Sequence, residues 1–102
     1  MIVRLFAALR DLAGESELEL DAPAPSVTHA HPRALPATLG DLIEALAARY
    51  GPAFRRAVLD GERLRPAVVV LINGRNARSL GGADAPLAPR DEISIFPPLG
   101  GG

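Results

Sequence analysis

The 102 residues carry 11 arginines and no lysine against 12 acids, a formal charge of −1. So even a balance gives no field to gather nucleic acid or an anionic membrane. The absence of cysteine removes disulfides, thiolate metal sites and a side-chain thiol nucleophile.

The length suits one domain, expected to span 1–102. The most apolar stretch, VVVLI at 68–72, falls far short of the ~20 residues of a membrane helix. MIVRLFAALRD at the start lacks a basic leader and a cleavage site, so a cytoplasmic globular domain is expected.

Residues 2–8 alternate as a strand, with Val3 and Leu5 on one face and Arg4 on the other. Leu9 to Ala13 form a short helical turn, ended by Gly14 as a left-handed cap. Glu15 to Asp21 then read E-S-E-L-E-L-D, a half-buried strand antiparallel to the first because the link is short. Its acids, Glu15, Glu17, Glu19 and Asp21, form a wet face rather than a catalytic pair.

Residues 22–37, APAPSVTHAHPRALPA, hold four prolines and no apolar period, and are read as an irregular Pro-rich loop. Thr38 caps a helix with Asp41 three residues on. Leu39, Leu42, Ile43, Leu46, Ala47 and Tyr50 make its stripe, and Gly51-Pro52 stop it. Residues 52–65 show only a short turn at 54–58 and the turn signal DGE. Val68 to Asn73 read as a central strand covered on both faces. Asn73-Gly74 turn the chain, and Ala85 to Leu87 pair briefly. Glu92 to Phe96 close the order with Ile93 and Ile95 inward, before Pro97 and Pro98 end the ladder. One main helix on a mixed sheet of four to five strands is an α+β roll of the β-grasp type.

Enzymatic constellations are missing. No serine has a nucleophile-elbow context, and no glycine-rich phosphate loop occurs. His29 and His31 point the same way in an extended segment, but a third metal ligand is lacking nearby, so no metal is expected. No self-contained active site emerges.

The end of the chain differs. FPPLGGG follows directly on the last strand. A frayed tail or a cloning remnant is the plain alternative, yet two terminal glycines arise by chance in roughly one chain in 200. Pro97 and Pro98 stiffen the exit, and Gly101 and Gly102 thread a narrow channel in any backbone conformation. That leaves the Gly102 carboxylate as the unhindered reactive group.

FPPLGGG after DEISI, with MIVRLFAALRDLAG at the start and VLINGR before the last strand, resembles the MoaD/ThiS sulfur carriers, ubiquitin-like β-grasp proteins. The resemblance covers 1–21, 38–51 and 68–102, and departs at 22–37, which is longer than the family usually has. It implies that an E1-like adenylating enzyme of the MoeB/ThiF type, using ATP, adenylates Gly102. A sulfur donor protein with a persulfide then replaces AMP, giving a thiocarboxylate on the Gly101-Gly102 tail. In the MoaD branch, the MoaE-type large subunit of molybdopterin synthase takes the tail, and the sulfur goes to the pterin precursor. No cofactor is bound by the chain itself.

Strand parity adds a docking patch. If Ile93 and Ile95 face the helix, then Phe96, Phe6 and one of Val69 or Val70 point to the outer face. With Pro97, Pro98, Leu99 and Gly100 they are the expected partner-binding residues, with Arg4, Arg10 and Arg75 as a polar rim. The competing readings are sulfur supply for thiamine, cysteine or tRNA thiolation, a ubiquitin-like modifier joined through Gly102, and a passive β-grasp module. The missing lysines forbid side-chain-linked self-chains but not conjugation to other proteins.

Overall fold

The computed structural model describes residues 1–20 and 36–98. Strand β1 (Ile2–Leu5) pairs antiparallel with β2 (Glu17–Glu19), Val3 opposite Leu18. It is shorter than the 2–8 expected. Ala7, at φ 52° and ψ −127°, turns the chain so that the Leu9 N–H donates to the Phe6 carbonyl at 3.2 Å. Helix α1 (Ala8–Ala13) follows, and Gly14 caps it in the left-handed region as expected. The loop expected at 22–37 lies outside the described residues except for Pro36 and Ala37, and with it His29 and His31.

Helix α2 (Leu39–Tyr50) begins where Thr38 Oγ1 accepts the Asp41 N–H at 3.2 Å. Leu39, Leu42, Ile43 and Leu46 are buried, the stripe expected from spacing. Where only a turn was expected, a third helix stands: α3 (Pro52–Val58). Pro52 ends one helix and starts the next, because a missing N–H costs nothing at the first helical position. Phe54 and Val58, four apart, are fully buried on its inner side. The DGE signal becomes a hairpin of β3 (Leu59–Asp60) and β4 (Arg63–Leu64) around Gly61 at φ 65°. The Arg55 guanidinium ties it down, donating to Glu44 and to the Gly61 carbonyl at 2.9 Å.

Strand β5 (Val69–Ile72) turns through Asn73-Gly74 into β6 (Arg75–Asn76). It is not covered on both faces: Val70 and Ile72 are buried, whereas Val69 is 40% exposed. The helices pack on one side only, so a β-branched run marks strand propensity here rather than two-sided burial. Two short 3₁₀ turns (Ala77–Leu80 and Gly82–Asp84) follow, and the pairing expected at 85–87 reduces to one bridge, Thr38 with Pro86. Strand β7 (Glu92–Phe96) has the bounds read from the sequence.

The sheet order is β2-β1-β7-β5-β6, with β7 parallel to β1 and antiparallel to β5. Val3, Leu5, Val70, Ile72, Ile93 and Ile95 point from it into a core closed by Leu42, Ile43, Leu46 and Phe54. This is the mixed α+β roll of the β-grasp type, with five strands in its main sheet.

Candidate functional site

The last strand is the central one, so whatever follows Phe96 leaves from the middle of the sheet. Register decides what surrounds that exit. Leu5 lies beside Ile95 and Val69 beside Phe96, so Phe6, Phe96 and Val69 fall in one cross-strand row on the face away from the helices. Phe6 and Phe96 stack with ring centroids 4.3 Å apart and planes 12° from parallel. Phe6 is 36% exposed and Phe96 half-buried. Of the two valines weighed for this face, Val69 is the one.

An open groove of about 410 Å³, lined by Ala67, Val69, Phe96 and Pro97, runs beside the row. Ala67 was not singled out from sequence, although its spacing of two from Val69 is the signal that finds it. Pro97 is buried and Pro98 half-buried, so the chain stays packed against the body past the end of the ladder. Leu99, Gly100, Gly101 and Gly102 lie outside the described residues.

The next row inward is polar. The Arg4 guanidinium donates to Glu92 at 2.7 Å and to Glu17 at 3.1 Å, bridging three strands. The hydrogen bond to Glu92, before its charge, holds the Arg4 pKa above its ordinary value. These exposed pairs order a surface rather than stabilise a fold. Arg4 therefore takes its expected place beside the patch. Arg75 does not: it pairs with Ile72 at the far end of β5, about 10 Å of strand from Val69. Arg10 sits on α1, 3.9 Å from Asp11.

Arg78 supports the row from beneath and was not foreseen. Its Nη2 donates to the carbonyls of Arg65, Pro66 and Val68 at 2.6, 3.1 and 2.9 Å. One guanidinium thus fixes the backbone leading into Val69. Only a fold in hand shows that three carbonyls of the 65–68 turn meet one side chain.

A central strand that leaves a five-stranded mixed sheet beside an apolar row, ahead of a diglycine sequence, has the architecture of a ubiquitin-like β-grasp protein. The chain belongs to the ThiS family, whose model matches residues 3–102. It is 33% identical over 102 residues to small archaeal modifier protein 3 of Haloferax volcanii, covering 98% of this chain and 96% of that protein. Among solved structures, small archaeal modifier protein 1 of Methanosarcina acetivorans superposes with a TM-score of 0.70 at 32% identity, covering 99% of this chain and 94% of that one. Urm1 of Trypanosoma brucei does so with a TM-score of 0.72 at 28% identity, covering 99% and 93%.

Proposed function

We propose that the chain is a sulfur carrier whose working group is the Gly102 carboxylate. The observation that carries this reading is the row of Phe6, Phe96 and Val69 beside the point where β7 passes into Pro97-Pro98 and the glycines. A partner that covers the row meets the tail at the same time. That partner is an E1-like adenylating enzyme of the MoeB/ThiF type. The carboxylate oxygen attacks the α-phosphorus of ATP and pyrophosphate leaves. The terminal sulfur of a donor protein's persulfide then attacks the carbonyl carbon and displaces AMP, leaving an acyl disulfide. Because this chain has no cysteine, a second thiol on a partner protein cleaves that S–S bond and is left in a disulfide with the donor cysteine. The product is a thiocarboxylate. The chain's own residues do the positioning: buried Pro97 fixes the root, and the glycines present no Cβ to a narrow channel.

The acceptor favoured by FPP ahead of the diglycine is the pterin precursor of the molybdenum cofactor. Sulfur would reach it on a MoaE-type large subunit of molybdopterin synthase, in the cytoplasm. A second reading is favoured by the relative named a modifier protein: the activated Gly102 carbonyl passes to an amine of another protein. Both readings need the glycine end. Deleting Gly102 alone would leave Gly100-Gly101 as a new terminal diglycine, so the test removes residues 100–102, which abolishes thiocarboxylate formation, sulfur transfer and conjugation alike. Sulfur transfer by the truncated chain would overturn the reading, whereas a full chain that is never charged and behaves as its truncated form does is a passive β-grasp module. Product analysis with the large subunit and pterin precursor, against a search for conjugated lysines, separates the two acceptors.

A further inference from the structure

Away from the groove at the tail exit, β2 is an edge strand with no outer neighbour among the described residues. The Met1–Leu20 and Leu5–Ser16 backbone bonds fix which residues pair through hydrogen bonds. By alternation Leu18 bonds to β1, while the N–H and C=O groups of Glu17 and Glu19 point outward, away from it. These four backbone groups are spaced to accept an added strand.

Beside them lies a groove of about 430 Å³ between β2 and α2, lined by Leu18, Leu20, Ala45, Leu46, Ala48 and Arg49. Ala45 and Ala48 are exposed. A surface helix ordinarily puts long polar side chains at such positions, and here small ones leave room above Leu18 and Leu46. The Arg49 head is turned to Glu15, 3.4 Å away, so it does not set the charge of the groove.

We propose that this edge receives an extended segment of another protein that alternates apolar and basic residues. The alternation follows from register. Residues opposite Leu18 point to the helix side, onto Leu18, Ala45 and Ala48, and must be apolar. Those opposite Glu17 and Glu19 point to the outer face, where both acids are exposed; Glu17 shares one oxygen with Arg4 at 3.1 Å, so Glu19 and the other oxygen of Glu17 call for basic residues there. A second copy of this chain does not fit, because pairing β2 with β2 sets glutamates against glutamates. The inference stands on the edge and groove alone and is independent of Gly102.

The test is a titration of the ¹⁵N- and methyl-labelled full chain with a capped peptide of alternating lysine and valine. Saturable shifts of the Glu17 and Glu19 amides and the Ala45 and Ala48 methyls are expected. Glutamate in place of each lysine should weaken the response about tenfold or more. Ala45→Arg with Ala48→Arg should weaken it by a similar factor, about tenfold, at an unchanged melting temperature. Three results would each overturn the proposal. One is no saturable shift at Glu17 and Glu19. Another is equal binding of the acidic peptide. The third is cross-peaks in the free protein that place residues 22–37 against Ala45 and Ala48, so that the chain fills its own groove.

Discussion

Phe6 and Phe96 lie face to face across the parallel β1–β7 pair, on the side of the sheet away from the helices. Two aromatic rings half-exposed beside the tail are worth little to the fold and much to a partner. Phe6→Ala and Phe96→Ala should each lower kcat/KM for thiocarboxylate formation by about 30-fold, the ~2 kcal/mol typical of an aromatic hot spot. Their coupling in a double-mutant cycle of stability should be about 0.5–1.5 kcal/mol. Undiminished kcat/KM in both variants would show that the partner docks elsewhere.

Ala7 holds a conformation that suits glycine, φ 52° and ψ −127°, one residue after Phe6. Such a backbone costs an alanine about 1–3 kcal/mol, against the ~0.5–1 kcal/mol that glycine loses in unfolded-state entropy. Ala7→Gly should therefore stabilise the chain by about 1 kcal/mol, roughly 5 °C in thermal midpoint. Differential scanning calorimetry reads the sign directly, and a lower midpoint would show that the turn is unstrained.

The single tyrosine of the chain, Tyr50, donates to Glu15 Oε2 at 2.5 Å, next to Arg49. Burial first, and then the hydrogen bond to Glu15, push its pKa up to about 12. A folded pKa above the unfolded value of about 10 means stability fully present below pH ~10 and lost as pH rises toward 12. With no tryptophan in the chain, ultraviolet titration follows this phenol alone. The midpoint should lie near 12 in the wild type. Tyr50→Phe should remove the alkaline loss of stability, and an ordinary midpoint near 10 would contradict the contact.

Phe54 is fully buried where α3 meets the core and carries more volume than any other such side chain. Phe54→Ala should cost about 3–5 kcal/mol, a large part of the ~5–15 kcal/mol available to a domain of this size. Urea denaturation should show a lower midpoint with m little changed.

The sequence made some of this legible and hid the rest for physical reasons. Ile93 and Ile95 alternate with Glu92 and Ser94, so β7 and its inward face could be read with correct bounds. Thr38 and Asp41 announced α2 in the same way. Helix α3 was lost because Gly51-Pro52 looks like a stop, while proline at a first helical position is also a start. Strands of two residues, as in β3, β4 and β6, are too short to carry a period. Parity put Phe6, Phe96 and one of Val69 or Val70 on one face, but the choice of Val69 and the shared row depend on pairing in the sheet, including β1 lying parallel beside β7, between residues about ninety apart in sequence. The Arg78 clamp on three carbonyls depends on folded loops and has no local signature.

The central claim is the chemistry at Gly102, and mass spectrometry of the C-terminal peptide tests it most directly. Cleavage after Arg90 releases residues 91–102, which contain neither methionine nor cysteine, so oxidation of those side chains cannot mimic sulfur. After incubation with ATP, a sulfur source and the cognate activating enzyme, the peptide should gain the mass difference between sulfur and oxygen, located at Gly102. An unmodified peptide, under conditions where the same enzyme charges another carrier, would contradict the sulfur-carrier reading.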